Sequence, residues 1–189
     1  MERRVGQPTL DEHADGAFAI SRMSTHFKIT SALLAAIRGD LARPHTFAAE
    51  RMGFIAAGLS SSGDDLLVLA RSYRPLLDMD YQYNPTVGAM MSPEALRKAL
   101  QWAMKDGVAL FNVHTHGGRG RPGFSGTDLS EQKRFVPNFL QVAPQCAHGA
   151  LVLSDNAAHG HIWLAEEHAP KVISRFTEVG VPLVQWSAP

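Results

Sequence analysis

Two hydrophobic rhythms alternate along this chain, one with the period of a helix and one with that of a strand. ITSALLAAIRGDL (29–41) has helical spacing, with Leu33, Ala36 and Ile37 on one face, Thr30 or Ser31 as cap and Gly39 near the end. GFIAAGLS (53–60) and LLVLARSY (66–73) are short apolar runs separated by SSGDD. This is a hairpin pattern with Gly63 available for a positive-φ turn position. AFAISRMS (17–24) is expected to be a first strand, and residues 74–91, with Pro75, Pro85 and Gly88, an irregular segment.

SPEALRKALQWAMKDG (92–107) is the clearest helix. Ser92 caps it, Pro93 fits its first turn and Glu94 favours the positive end of its dipole. Leu96, Ala99, Leu100 and Ala103 recur at helical spacing, and Gly107 ends it. VALFNVH (108–114) is continuously apolar, as in a strand buried on both faces. TDLSEQKRFV (127–136) is expected to be a helix opening at Thr127 or Asp128, with Glu131 completing a capping box and Pro137 ending or kinking it. GALVLSDNAAHGHIWLAE (149–166) predicts a second hairpin turning at Asp155 and Asn156, and KVISRFTEV (171–179) a last strand. Strands and helices in mixed order imply a single α/β domain with a mixed central β-sheet flanked by helices, over residues 16–189, preceded by a flexible arm at 1–15.

Composition narrows the function. Eighteen basic residues balance eighteen acidic ones, so a general nucleic-acid or anionic-membrane binder is not expected. No apolar run approaches the ~20 residues needed to span a bilayer, and the polar N-terminus lacks a signal-peptide core. A soluble, cytoplasmic protein is expected. The single cysteine, Cys146, forms no intrachain disulfide or cysteine zinc cluster and reads as a small core residue.

The chemistry concentrates in FNVHTHGGRGRPGFSGTDLSEQ (111–132). Residues i and i+2 of a strand share a face, so His114 and His116 present two imidazoles together at a strand end. Histidine nitrogens suit zinc, and Asp128, at a helix start, can point back across the loop as a third ligand. Three protein ligands leave a fourth position open, as in catalytic zinc sites. The second pair, His159 and His161, has no Ser-x-x-Asp after it and reads as two histidines on a half-exposed strand face. Arg119 and Arg121 read as a solvated loop, or as contacts for a carboxylate-bearing substrate tail.

Glu50-x-x-Gly53 ahead of a small apolar strand, then His114-x-His116, then Ser125-x-x-Asp128, resembles the JAMM motif of the JAB/MPN/Mov34 zinc metalloproteases. The resemblance covers about residues 16–165. It implies the MPN/JAB fold, which is cytidine-deaminase-like, and one zinc per chain held by His114, His116 and Asp128. It also implies Glu50 as the general base, and Ser125 as donor to the developing oxyanion. On the residues alone, Ser125 reads equally as a cap of the helix or turn. Thr115, on the opposite face, is structural. The chain departs from the family in two ways. Eight residues, Gly117 to Phe124, separate His116 from Ser125 where seven are usual, and Gly117 stands where proline is common.

The resemblance further implies a compact prokaryotic isopeptidase or peptidase that cuts after the C-terminal tail of a ubiquitin-like protein. Its partners would be that protein or its conjugates, and activating or conjugating enzymes of the same pathway. An extended tail is expected to add as a strand beside a sheet edge near the zinc. Two other readings stand beside it. One is a PHP- or amidohydrolase-like metal hydrolase, which needs a longer barrel with further ligands. The other is a non-catalytic MPN scaffold, which the filled motif positions disfavour.

Overall fold

A computed structural model describes residues 24–62, 65–165 and 169–187. The expected arm at 1–15, nearly all of the AFAISRMS segment and the turn glycine Gly63 lie outside the described residues. The elements in order are β1 (Ser24–Thr30), α1 (Ser31–Leu41), β2 (Met52–Ser62), β3 (Asp65–Pro75), α2 (Pro93–Asp106), β4 (Ala109–Thr115), α3 (Gly126–Val142), β5 (His148–Leu153), β6 (Ala158–Trp163), β7 (Lys171–Val172), β8 (Arg175–Val179) and β9 (Val184–Ser187). All nine strands join one mixed sheet in the order β7-β6-β5-β4-β2-β3-β1-β8-β9. The expected α/β class with a mixed sheet and flanking helices is what the chain adopts. Among the described residues, no helix is long and apolar enough to cross a membrane.

Each helix starts where a side chain satisfies its free amides. Thr30 accepts from Leu33 N, and Ser92 accepts from Ala95 N with Pro93 in the first turn. Gly107 ends α2 in the left-handed conformation, at φ 59°, where a Cβ would be strained. The buried stripe of α1 is Leu34, Ile37 and Leu41, with Ala36 exposed, one step round from the expected face. Residues 76–91 are irregular apart from a short 3₁₀ turn at Asp78–Asp80 and a bridge between Tyr81 and Met91, while Arg74 and Pro75, expected in this segment, close β3.

Two elements differ from expectation. Pro137 does not end α3, which runs on to Val142. Lys133 and Pro137 both lie on its exposed face, so the carbonyl that loses its partner is solvated, while Phe135, Val136 and Phe139 hold the helix to the core. KVISRFTEV is not one strand: β7 pairs with β6, and β8 pairs in parallel with β1, several strands away. The buried Ile173 and the backbone bonds at Ile173 and Ser174 mark the crossing between them. A further strand, β9, pairs with β8.

The sheet's two faces serve different ends. One carries Phe27, Ile55 and Leu151 beneath Leu34 of α1 and Trp186 of β9, around a small apolar cavity. The other lies under α2 and α3. There the registers align Met52, His114, Val152 and His159 across β2, β4, β5 and β6. Strand β4 is buried through His114, as its unbroken apolar run predicts.

Candidate metal centre

The site forms where β4 runs out. His114 is its last buried side chain and His116 lies one residue beyond its end, exposed. His116 N donates to Leu153 O at 3.1 Å, which keeps strand geometry just long enough to hold both rings on one side. Their Nε2 atoms are 3.1 Å apart. Thr115 points the other way and donates to Leu153 O, a structural role as expected.

The chain then turns through Gly117, Gly118 and Gly120, all at positive φ (63°, 68° and 99°). Proline, fixed near φ −65°, cannot take the first of these positions, so Gly117 is a requirement of this path. The loop is tied down. Gly118 O accepts from Asp155 N, Gly120 N donates to Asn156 Oδ1, and Ser154 Oγ donates to Gly120 O. Arg121 donates to Ser187 O of β9, so it is a loop anchor rather than a free solvated charge. Arg119 is exposed.

The loop delivers Ser125 as the N-cap of α3, two residues ahead of the expected helix start. The capping box is Ser125 with Asp128, not Asp128 with Glu131. Asp128 N donates to Ser125 Oγ at 3.2 Å, and Ser125 N donates to Asp128 Oδ2 at 2.7 Å. The same carboxylate faces both imidazoles, Oδ1 3.4 Å from His114 Nε2 and Oδ2 3.3 Å from His116 Nε2. Burial works against its ionisation, but His114 and the Ser125 hydroxyl and amide outweigh it and hold Asp128 well below the usual carboxylate range.

Glu50 reaches the same place from the segment leading into β2, whose first residue pairs with His114. Its carboxylate and the two histidine nitrogens offer ligand atoms all within 4.8 Å of one another. The segment before β2 is fixed by Arg51, almost fully buried, which donates to Arg43 O, Pro44 O and Asp78 Oδ1 at 2.9, 2.9 and 2.6 Å. Ala49 N and Glu50 N both donate to Gly88 O. A Cβ on Gly88 would stand 3.1 Å from the Glu50 carboxyl carbon, so glycine there permits the close approach.

The structure thus brings together His114, His116, Asp128 and Glu50. The His114 and His116 nitrogens lie 3.1 Å apart, and Asp128 meets each with a different oxygen, Oδ1 3.4 Å from His114 and Oδ2 3.3 Å from His116, so its carboxylate spans the pair. With one ligand atom taken from each residue, the set that converges is Glu50, His114 and His116. Two imidazole nitrogens with the Asp128 and Glu50 carboxylates around them suit a small divalent cation.

Two neighbours, Phe124 and Gln132, carry no signal in the sequence pattern. Phe124 packs against His114, His159 and His161, at ring separations of 6.2, 5.3 and 4.8 Å. The second histidine pair is half-buried on β6, as expected, and also packs against the site through Phe124. Burial lowers both of these imidazoles' pKa values, helped by the Arg121 charge for His159 and by His159 for His161. Gln132 of α3 bonds His161 Nδ1 at 3.1 Å. The strand register was the one available signal, since His159 aligns with His114 through Val152.

No family model matches the chain, and no curated protein does. Among solved structures, the chain is similar to the Trichoplax adhaerens STIL N-terminal domain. The TM-score is 0.37 and the identity 10%, over 74% of this chain and 41% of that one. The chain spans less than half of that structure, and so loose a likeness carries no argument about function.

Proposed function

We propose that this chain is a zinc-dependent isopeptidase or peptidase of the JAMM/MPN type, acting after the C-terminal tail of a ubiquitin-like protein. The observation that carries the reading is the convergence of the His114 and His116 nitrogens with the carboxylates of Asp128 and Glu50. The residues of a four-part motif, scattered from position 50 to 128, meet at one point.

A zinc ion at that point would supply an acidified water and a polarised carbonyl. The chain's own residues would do the rest. Glu50, held by the Arg51 and Gly88 contacts, takes the water's proton and hands it to the leaving amine. Ser125 accepts the Asp128 amide hydrogen with its oxygen, and its own hydrogen turns from the Asp128 carboxylate to donate to the carbonyl oxygen as charge develops there. His114 and His116, fixed by β4 and by the Leu153 carbonyl, orient the metal.

The test is metal content by elemental analysis, on wild type and His116→Ala purified without added zinc or chelator. About one zinc per wild-type chain, lost in the variant, is expected. Cleavage of diglycine-ended ubiquitin-like fusions should then be abolished by Glu50→Gln. Two or three metals per chain would turn the reading toward a PHP- or amidohydrolase-like enzyme. No metal, even after zinc is offered, would turn it toward a non-catalytic scaffold.

A further inference from the structure

A cavity of about 140 Å³ opens directly beside the proposed reaction centre. His114 and Asp128 form part of its wall. The rest is largely apolar, with Met52, Val87, Met90, Met91 and Phe135 around it. An apolar cavity of roughly 150 Å³ holds a guest the size of benzene, so this one has room for one side chain and no more. Three of these residues come from the irregular 84–91 segment that also supports Glu50, so the pocket and the proposed base share a wall.

Asn84, Asn112, Thr127, Glu131 and Gln132 interrupt the apolar lining, and of these only Gln132 has a buried side-chain atom without a partner among the described residues. Gln132 is 2% exposed and lines the same cavity. One end of its amide is bonded to His161 Nδ1. Its Nε2 has no hydrogen-bond partner among the described residues. A buried amide hydrogen without an acceptor is costly, and native interiors seldom leave one so unless a guest completes it.

We infer that this cavity is the binding pocket for the first residue on the amine side of the cleaved bond. Its side chain is unbranched, with an apolar stem and a hydrogen-bond acceptor at its tip, as in glutamine or methionine. The inference rests on the proposed peptidase reading for its position relative to the bond. With His114 and Asp128 in its wall, the guest belongs to a residue next to the reacting carbonyl. On that reading the acyl side ends in glycine, which has no side chain to offer, so the occupant comes from the amine side. The methionine thioethers grip the stem, and the buried Gln132 amide turns toward the cavity to donate to the tip. A lysine bonded through its side-chain amine would put its stem in line with the cut and leave the pocket unused. The pocket therefore favours a main-chain amine, as in a linear precursor, over an isopeptide.

The test reads binding directly. The seven methionines of the chain are labelled with ¹³C at the methyl, and Met52, Met90 and Met91 are assigned by single Met→Leu variants. Dipeptide amides X-Ala-NH₂ are then titrated, with X glutamine, methionine, norleucine, glycine or aspartate. Glutamine and methionine should shift those three methyls saturably, and glycine and aspartate should not. Glutamine should bind about tenfold tighter than norleucine, the worth of one buried hydrogen bond (about 1.4 kcal/mol). Gln132→Leu should erase that preference, and Ala89→Leu, which fills the cavity from its loop side, should abolish binding of both. Equal binding of glycine, or a glutamine preference that survives Gln132→Leu, overturns the inference. Zinc content measured on the same samples separates the two claims. A zinc-loaded, peptide-cleaving chain without methyl shifts sinks the pocket alone, and shifts in a chain that takes no zinc leave a side-chain pocket but sink the enzyme reading and, with it, the pocket's place beside a cleaved bond.

Discussion

Ser125 and Asp128 hold each other reciprocally, each backbone amide donating to the other's side chain, at 2.7 and 3.2 Å. A capping box, an ordinary device for starting a helix, thus aims a carboxylate at two histidines. Cap and proposed catalytic donor are two uses of one hydroxyl, and they separate on substitution. Glycine is nearly as good an N-cap as serine, costing only a few tenths of a kcal/mol, while alanine costs about 1 kcal/mol. Ser125→Gly should therefore unfold in urea close to wild type, yet lose about 10²–10³-fold in kcat. Equal kcat in the two proteins would reduce Ser125 to a cap.

Asp128→Asn keeps an oxygen for the Ser125 amide but removes the charge that faces His114 and His116. The helix start should survive, with far-ultraviolet circular dichroism unchanged. Zinc affinity, read by competition with a chelating dye, should fall by more than the 10–100-fold typical of a lost supporting contact. Retained affinity would mean that the metal is held by Glu50 and the two histidines instead.

Arg51 touches no proposed ligand but pins the segment that carries Glu50, through two carbonyls and Asp78. Arg51→Met leaves those acceptors unpartnered. Displacement of a catalytic group by about 1 Å can cost about 10²-fold in rate. The variant should keep about one zinc and lose kcat with little change in KM. Gly88→Ala should do the same more mildly, because its Cβ presses on the Glu50 carboxyl group at 3.1 Å. Loss of zinc from Arg51→Met would show that Glu50 helps to hold the metal.

Features set by neighbours in sequence were legible beforehand, and features set by neighbours in space were not. The Ser92 cap, the Gly107 end, the buried run of β4 and both hairpins follow from local chemistry and appear as expected. The start of α3 was misplaced because Asp128 and Glu131 also make a plausible capping box, and only the backbone path decides between two overlapping ones. Splitting 171–179 between β7 and β8 depends on which distant strand each half meets, β6 or β1. The four site residues were legible as a pattern, yet on spacing alone Glu50 reads as a solvated charge. Phe124, Gln132 and the cavity were invisible, since each acquires its meaning from contacts across more than one element.

His148 sets the acid limit of the fold. It is fully buried, with Nδ1 accepting from Leu110 N and Nε2 facing Ala143 O, both at 3.1 Å, and its ring stacks on Phe139. These partners require a neutral ring with its hydrogen on Nε2. A second proton on Nδ1 would point at the Leu110 N–H. Burial, only partly offset by the Ala143 carbonyl, lowers its pKa from 6.5 to about 4. Between these values the unfolded chain binds the proton more readily than the folded one, so stability rises with pH through the window. The contribution is complete above about pH 6.5 and is lost progressively as pH falls toward 4. Between pH 8 and pH 5 the loss should be about 2 kcal/mol, from the size of the shift. His148→Gln can still accept from Leu110 and donate to Ala143 but does not titrate over this range. Urea unfolding at pH 8 and pH 5 should show wild type losing about 2 kcal/mol more than this variant. Equal losses would place the acid sensitivity elsewhere.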